Sequence, residues 1–327
     1  MRQRNTVAVG RIFGIPIGLD YSWFLIVGLL TFSLATGYFP EHYAAWPTAL
    51  YWLVGGAAAI MLFASVLLHE LGHSVVAMAH KVPVRRIRLM IFGGVAELVD
   101  EPSSAAGEFF IAIAGPVVSF VLAGLFFAAF TVLQVVSGGG GLLPLEALAG
   151  LSGYLAFINL MLALFNLVPG FPLDGGRVLR AIIWGIGRDL RRATLIAANV
   201  GRIVSVGFIA LGMWRALGGN LSNGLWTIFI GIFLQQAADA EVRMRRVRDL
   251  LSGQRVSQVM RPATYMGLPL AVASGPVEAL QPDTGLWSAL RKMDLYGTNQ
   301  LPVVEGGRVL GVLRRDDVFS FLRGLWR

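Results

Sequence analysis

Two histidines and a glutamate lie close together in His69-Glu70-Leu71-Gly72-His73, inside an apolar run from about Leu50 to Ala79. On a helix, positions i and i+4 project from one face about one turn apart, which suits two ligands of a single metal ion. Glu70, between them, is placed to act as a base toward a water beside that ion. An ionisable side chain at the centre of a bilayer costs roughly 2.5 to 3.5 kcal/mol on insertion scales, so such a cluster within a membrane-length run points to a task. A buried His–Glu hydrogen-bonded pair is the bland alternative.

A catalytic zinc takes three protein ligands and keeps a further position open. The chain has no cysteine and four histidines, which leaves imidazole and carboxylate as ligands. His80 lies on a similar face, but it sits beside Lys81 at the end of the run, where a polar tip snorkels to the interface. His42 falls on the opposite side of the membrane. Asp174 is the stronger candidate, because Pro169, Gly170 and Pro172 break the fourth apolar run just before it. Non-helical backbone at membrane depth is tolerated where it is buried in protein or lines a cavity. Gly175 and Gly176 would let the chain turn tightly there. The alternative role for Asp174 is to cap a helix beginning at Gly175.

The elements that must position these residues are membrane spans. Of 327 residues, 56% are hydrophobic and 14% charged, and the mean hydropathy is +0.68, outside the range of soluble globular chains. Apolar runs at about Tyr21–Phe39, Leu50–Ala79, Phe109–Val136, Leu151–Leu167, Ala193–Leu217 and Leu221–Ala237 approach or exceed the roughly 20 residues a spanning helix requires. The expected fold is an α-helical polytopic membrane protein of about six transmembrane helices.

Arginine and lysine alternate between the loops. They are dense before the first run and after the second, fourth and sixth, whereas the intervening loops hold only Arg215. That pattern places both termini in the cytoplasm. It also accounts for the net charge of +8 without a nucleic-acid partner. No small-residue cleavage site follows the first run, so it reads as an uncleaved span.

Between the second and third runs, the stretch from Val84 to Asp100 sets Gly93-Gly94 between short apolar segments, a β-hairpin or re-entrant strand pair, or else an interfacial loop. Gly201, Gly207 and Gly212 in the fifth run suit either close helix packing or a mobile gate. Residues 1–240 thus form a membrane domain and 241–254 a basic linker, read either as an amphipathic helix on anionic headgroups or as a solvated segment. From about Arg255 to Arg327, charges and short β-type runs such as Gln300–Val304 replace the long apolar stretches, giving a small cytoplasmic α/β module.

The HELGH pattern, "IAGPVVSF" in the third run and "NLVPGFPLDGGR" at the fourth together resemble the site-2 protease family of intramembrane zinc metalloproteases. "GRIFGIPIGLDYSWFL" and "FGGVAEL" extend the likeness, so that it spans roughly Gly10 to Arg180. The resemblance implies one zinc ion bound by His69, His73 and Asp174, water activation by Glu70, assistance to the reacting carbonyl by Asn166, and another protein's transmembrane segment as substrate. Gly93 and Gly94 are expected to offer that segment, once unwound, a strand edge. Ser119 stands where many relatives have Asn, a departure that bears on packing of the third run. A metal transporter or channel is the rival reading, since intramembrane His and Asp also mark ion paths.

The C-terminal module resembles a cystathionine-β-synthase (CBS) domain in "VSQVMRP", "WSALRKM" and "NQLPVVEGGRVLGVLRRDDVFSFL". Such modules pair, so a single copy implies a homodimer through residues 255–323. Asp317 matches the family's ribose-contacting aspartate, while Arg314 replaces its hydroxyl residue. Adenine-nucleotide regulation and a purely dimerising or docking role both stand.

Overall fold

The computed structural model describes residues 6–91, 93–137, 142–262 and 279–325. The chain divides into two compact units, one running to Asp239 and one from Ala240 onward.

The first unit is a helical bundle with one sheet. Asp20 accepts from Ser22 N at 3.0 Å and caps α1, Tyr21–Ser33, which continues through a π turn at Leu34–Tyr38 into α2, Phe39–His42. Then follow α3 (Thr48–Ala79), α4 (Ala105–Val136), α5 (Leu143–Asn166), α6 (Asp174–Gly187), α7 (Leu190–Leu217) and α8 (Leu221–Ser252). Ser104 caps α4 by accepting from Gly107 N, and Asp189 caps α7 by accepting from Arg192 N. Such side chains satisfy amides that a helix start leaves without intrahelical partners.

Among the described residues five helices are long and apolar enough to cross a membrane, rather than about six: Tyr21–His42, Thr48–Ala79, Ala105–Val136, Leu143–Asn166 and Leu190–Leu217. The sixth apolar run forms the first half of α8, where Ser222, Asn223, Gln235 and Gln236 dilute its hydropathy. The fourth span begins earlier than expected, at Leu143, and ends at Asn166, just before the proline-rich break.

The segment around Gly93-Gly94 is a strand pair: β3 (Val84–Met90) runs antiparallel to β4 (Gly93–Leu98). It is half of a larger sheet. β1 (Thr6–Ile12) and β2 (Ile15–Asp20) form an antiparallel hairpin, and β2 lies parallel to β3 with Ile17 opposite Ile87, giving the order β1-β2-β3-β4. Ile15 and Ile87 pack on Leu71 of α3, which seats the sheet beside the HELGH helix. β4 is left at the sheet edge.

The segment read as a basic linker is the second half of α8, unbroken to Ser252. Leu251 is fully buried in the core of the second unit, with Val256, Leu280, Leu286, Met293, Leu301 and Leu313. An apolar face is what keeps this arginine-rich stretch helical. Beyond it come β5 (Arg261–Pro262), α9 (Leu286–Tyr296), β6 (Gln300–Glu305), β7 (Arg308–Arg314) and α10 (Arg315–Leu325). The sheet order is β5-β7-β6, and Gly306 and Gly307, both at positive φ, turn β6 into β7 as hairpins of this kind require. Part of the expected module, residues 263–278, lies outside the described residues.

Candidate metal centre

α3 carries His69 and His73 on one face, and the chain break after α5 delivers Asp174 to them as the first residue of α6. His69 Nε2 and His73 Nε2 each lie 3.1 Å from Asp174 Oδ2 and 3.2 Å from each other. The two imidazoles are buried. Asp174 makes no capping bond to α6; its N-cap is Leu173, so the capping alternative falls away.

Gly175 and Gly176 are helical, and they serve close approach rather than a turn. A Cβ on Gly175 would lie 2.3 Å from Leu167 O, and one on Gly176 2.3 Å from Gly170 C. Bare backbone at these two positions lets residues 167–173 fold back over the start of α6 and set Asp174 beneath the histidines.

The donor set fits a zinc ion. One atom from each of His69, His73 and Asp174 lies within 4.8 Å of the others, and bonds of roughly 2.0–2.2 Å in a tetrahedral shell bring ligand atoms into this range. A Cβ on Gly115 of α4 would sit 2.2 Å from His73 Nε2 and 2.6 Å from His69 Nε2. Only a glycine leaves the space beside both nitrogens open.

The far ring nitrogens are also held. His73 Nδ1 donates to Ile111 O at 2.6 Å, and His69 Nδ1 meets Ser119 Oγ at 2.9 Å. A carbonyl oxygen accepts and never donates, so the proton of a neutral His73 is on Nδ1 and Nε2 keeps the lone pair a metal needs. Ser119 therefore bears on a candidate metal ligand, not only on helix packing. The contacts of Gly115, Ser119 and the Ile111 carbonyl with the two imidazoles are what spacing alone did not find.

Glu70 is half-buried, and its Oε2 accepts from Ala96 N of β4 at 3.2 Å. Gly94 packs so closely on it that a Cβ there would lie 2.5 Å from Glu70 Cγ. Glu70, His69 and Asp174 open with Gly93, Gly94 and Asn166 onto one cavity of about 420 Å³. Its other wall is apolar and comes from α8, including Trp226, Phe229 and Phe233. Asn166 donates its amide to Leu162 O at 3.0 Å, on its own helix.

The other candidates lie elsewhere. His80 is exposed and bonds Val76 O, and His42 stacks on Tyr38 with ring centroids 4.3 Å apart. Asp317 is gripped by Arg261, whose Nε lies 2.9 Å from Oδ2 and whose outer nitrogen lies 2.6 Å from Oδ1. This contact holds the Arg261 guanidinium above its ordinary pKa. A ribose would have to open that pair to reach Asp317.

Residues 57–150 and 144–208 match the family described as Peptidase family M50, and residues 271–324 match the CBS domain. Zinc metalloprotease Rip3 of Mycobacterium tuberculosis, so named as a candidate protease, is 39% identical over 266 residues, covering 81% of this chain and 66% of that protein. A similarly named zinc metalloprotease of Synechocystis is 40% identical over 264 residues, 79% of this chain and 65% of that protein. The chain thus spans about two thirds of the length of these relatives. The solved site-2 protease of Methanocaldococcus jannaschii is 32% identical, with 72% of this chain and 95% of that one covered and a TM-score of 0.44.

Proposed function

Because the chain belongs to Peptidase family M50, the site-2 type of zinc metalloendopeptidase, and carries a CBS domain, we propose that it hydrolyses peptide bonds within or near transmembrane segments of other membrane proteins. The observation that carries this reading is the convergence of His69, His73 and Asp174 beside Glu70 on one cavity.

His69, His73 and Asp174 would hold the zinc ion. Bound there, zinc lowers the pKa of a water and polarises a carbonyl. Glu70 takes the proton from the attacking water and passes it to the leaving amine. Ala96 N fixes one of its oxygens for that task. Asn166, at the cavity wall, turns its amide from Leu162 O to the developing oxyanion.

A transmembrane helix hides its carbonyls in its own hydrogen bonds, so it must unwind before attack. Gly93 and Gly94 lie at the cavity on the edge strand of the sheet. Pairing along this edge holds the unwound segment through its main chain, with little demand on its sequence. The alternation of basic loops supports termini on the cytoplasmic side. The CBS module pairs two chains into a homodimer and serves regulation; binding of an adenine nucleotide at Asp317 requires release of Arg261.

The test is a paired measurement on purified wild type and Glu70→Gln: bound zinc by elemental analysis, and cleavage of a panel of transmembrane peptides in detergent. Both proteins are expected to hold about one zinc per chain, while the variant loses roughly 10²–10⁴-fold in cleavage, as removal of a general base does. Metal retained in both, no cleavage by either, and divalent-ion flux through wild-type proteoliposomes would replace the protease reading with transport.

A further inference from the structure

α4 contributes no candidate metal ligand, yet one stripe of it touches everything that orients them. Glu108, Ile111, Gly115 and Ser119 follow one another at helical spacings of three, four and four residues, so they share a face. The Ile111 carbonyl holds His73, the Ser119 hydroxyl holds His69, and Gly115 borders both Nε2 atoms. At the head of the stripe, Glu108 Oε1 accepts from Arg180 Nε at 2.6 Å and also pairs with an outer nitrogen of the same guanidinium.

Arg180 lies on α6, the helix that begins with Asp174. Its guanidinium sits 5.1 Å from the ring centroid of Phe171, in the loop that delivers that aspartate. Both charges are deeply buried, with Glu108 1% and Arg180 5% exposed. Desolvation offsets much of the attraction in such a pair, so net stability is a poor account of its presence, and fixing one geometry is a better one.

The packing shows which geometry is at stake. α3 and α6 each pack extensively on α4, whereas α3 and α6 touch each other little. The separation of Asp174 from the histidines is therefore set through α4. We propose that Glu108 and Arg180 are positioning residues that lock α6 onto the α4 stripe and so hold Asp174 in register with His69 and His73. This rests on the metal-centre reading above.

The test measures zinc affinity by chelator competition, and the absorption bands of the cobalt-substituted protein, for full-length chains in detergent. Arg180→Lys and Glu108→Gln are each made in wild type and in Asp174→Asn. In the wild-type background each is expected to weaken zinc roughly 10- to 100-fold, as loss of ligand-orienting partners does, and to shift the cobalt bands. In Asp174→Asn neither should lower the residual affinity further, because the ligand they position is gone.

Equal losses in both backgrounds, or unchanged affinity and bands with a lowered melting temperature, would overturn the proposal in favour of plain packing. If Glu108→Gln does not fold, Arg180→Lys, which keeps the charge and loses the planar fork, decides by the same comparison. A wild-type chain that binds no zinc would instead overturn the metal-centre reading itself.

Discussion

The two units fill their interiors differently. The first mixes large side chains such as Phe39, Ile111 and Leu155 with many alanines, among them Ala58, Ala59, Ala112, Ala163, Ala193 and Ala197, and leaves Leu125, Phe127, Val135 and Leu217 exposed, whereas the core of the second is mostly large, with Leu280, Leu286, Met293, Leu301 and Leu313. Every buried polar side chain among the described residues, from Ser65 to Thr227, belongs to the first unit. The difference follows from the solvent. In water, large apolar side chains gain by leaving it; among lipid tails they gain nothing, so helices join through close backbone approach and polar contacts. A membrane bundle is therefore a natural place to bury a metal-binding cluster, because polar contacts there are part of the adhesive.

Substitutions can break or sharpen this contrast. Leu313→Ala in the second unit should cost about 2–5 kcal/mol, the range for emptying a leucine site in a water-driven core, read as lost hydrogen-exchange protection along β6 and β7 of the full chain. Comparable deprotection of α3–α5 by the same change would refute the division into two independently built cores.

Gly212→Val ranks next. A Cβ at Gly212 meets Ile228 N at 2.7 Å, so overpacking of α7 on α8 should cost about 1–3 kcal/mol, seen as an earlier midpoint in denaturing-detergent titration. Asp20→Ala, which removes the cap of α1, should cost about 1 kcal/mol in the same titration. Leu125→Ala, at an outward-facing position of α4 that is 63% exposed, should stay within about 0.5 kcal/mol. A loss there as large as that of Leu313→Ala would mean that the outer leucines are covered by protein.

The spacing of His69 and His73 and the break before Asp174 made the candidate cluster, whose donor atoms the fold brings within 4.8 Å of one another, readable, because both are local features of the chain. Gly94 was readable as a hairpin glycine, although its contact with Glu70 was not. What stayed hidden depends on distant segments. The pairing of β2 with β3 joins residues about 70 positions apart, and Glu108 meets Arg180 across 72. Gly115 looks like any small residue of a packed span until the imidazoles are placed against it. The run of arginines after Ala240 left an amphipathic helix and a solvated linker both open; the chain there is helical, and the burial of Leu251 in the second unit was not readable from the charges.

The two imidazoles differ in how their outer nitrogens are anchored: His69 leans on a side chain, Ser119, and His73 on a main-chain oxygen, that of Ile111. Heredity can erase the first by changing one residue. It has no such access to the second, since every amino acid at position 111 brings the same carbonyl, and only a shift of the helix itself would withdraw it. Within one candidate metal cluster, then, one imidazole's orientation is open to evolutionary tuning and the other's is nearly exempt from it, so variation among descendants of this sequence should collect around His69 and leave His73 alone.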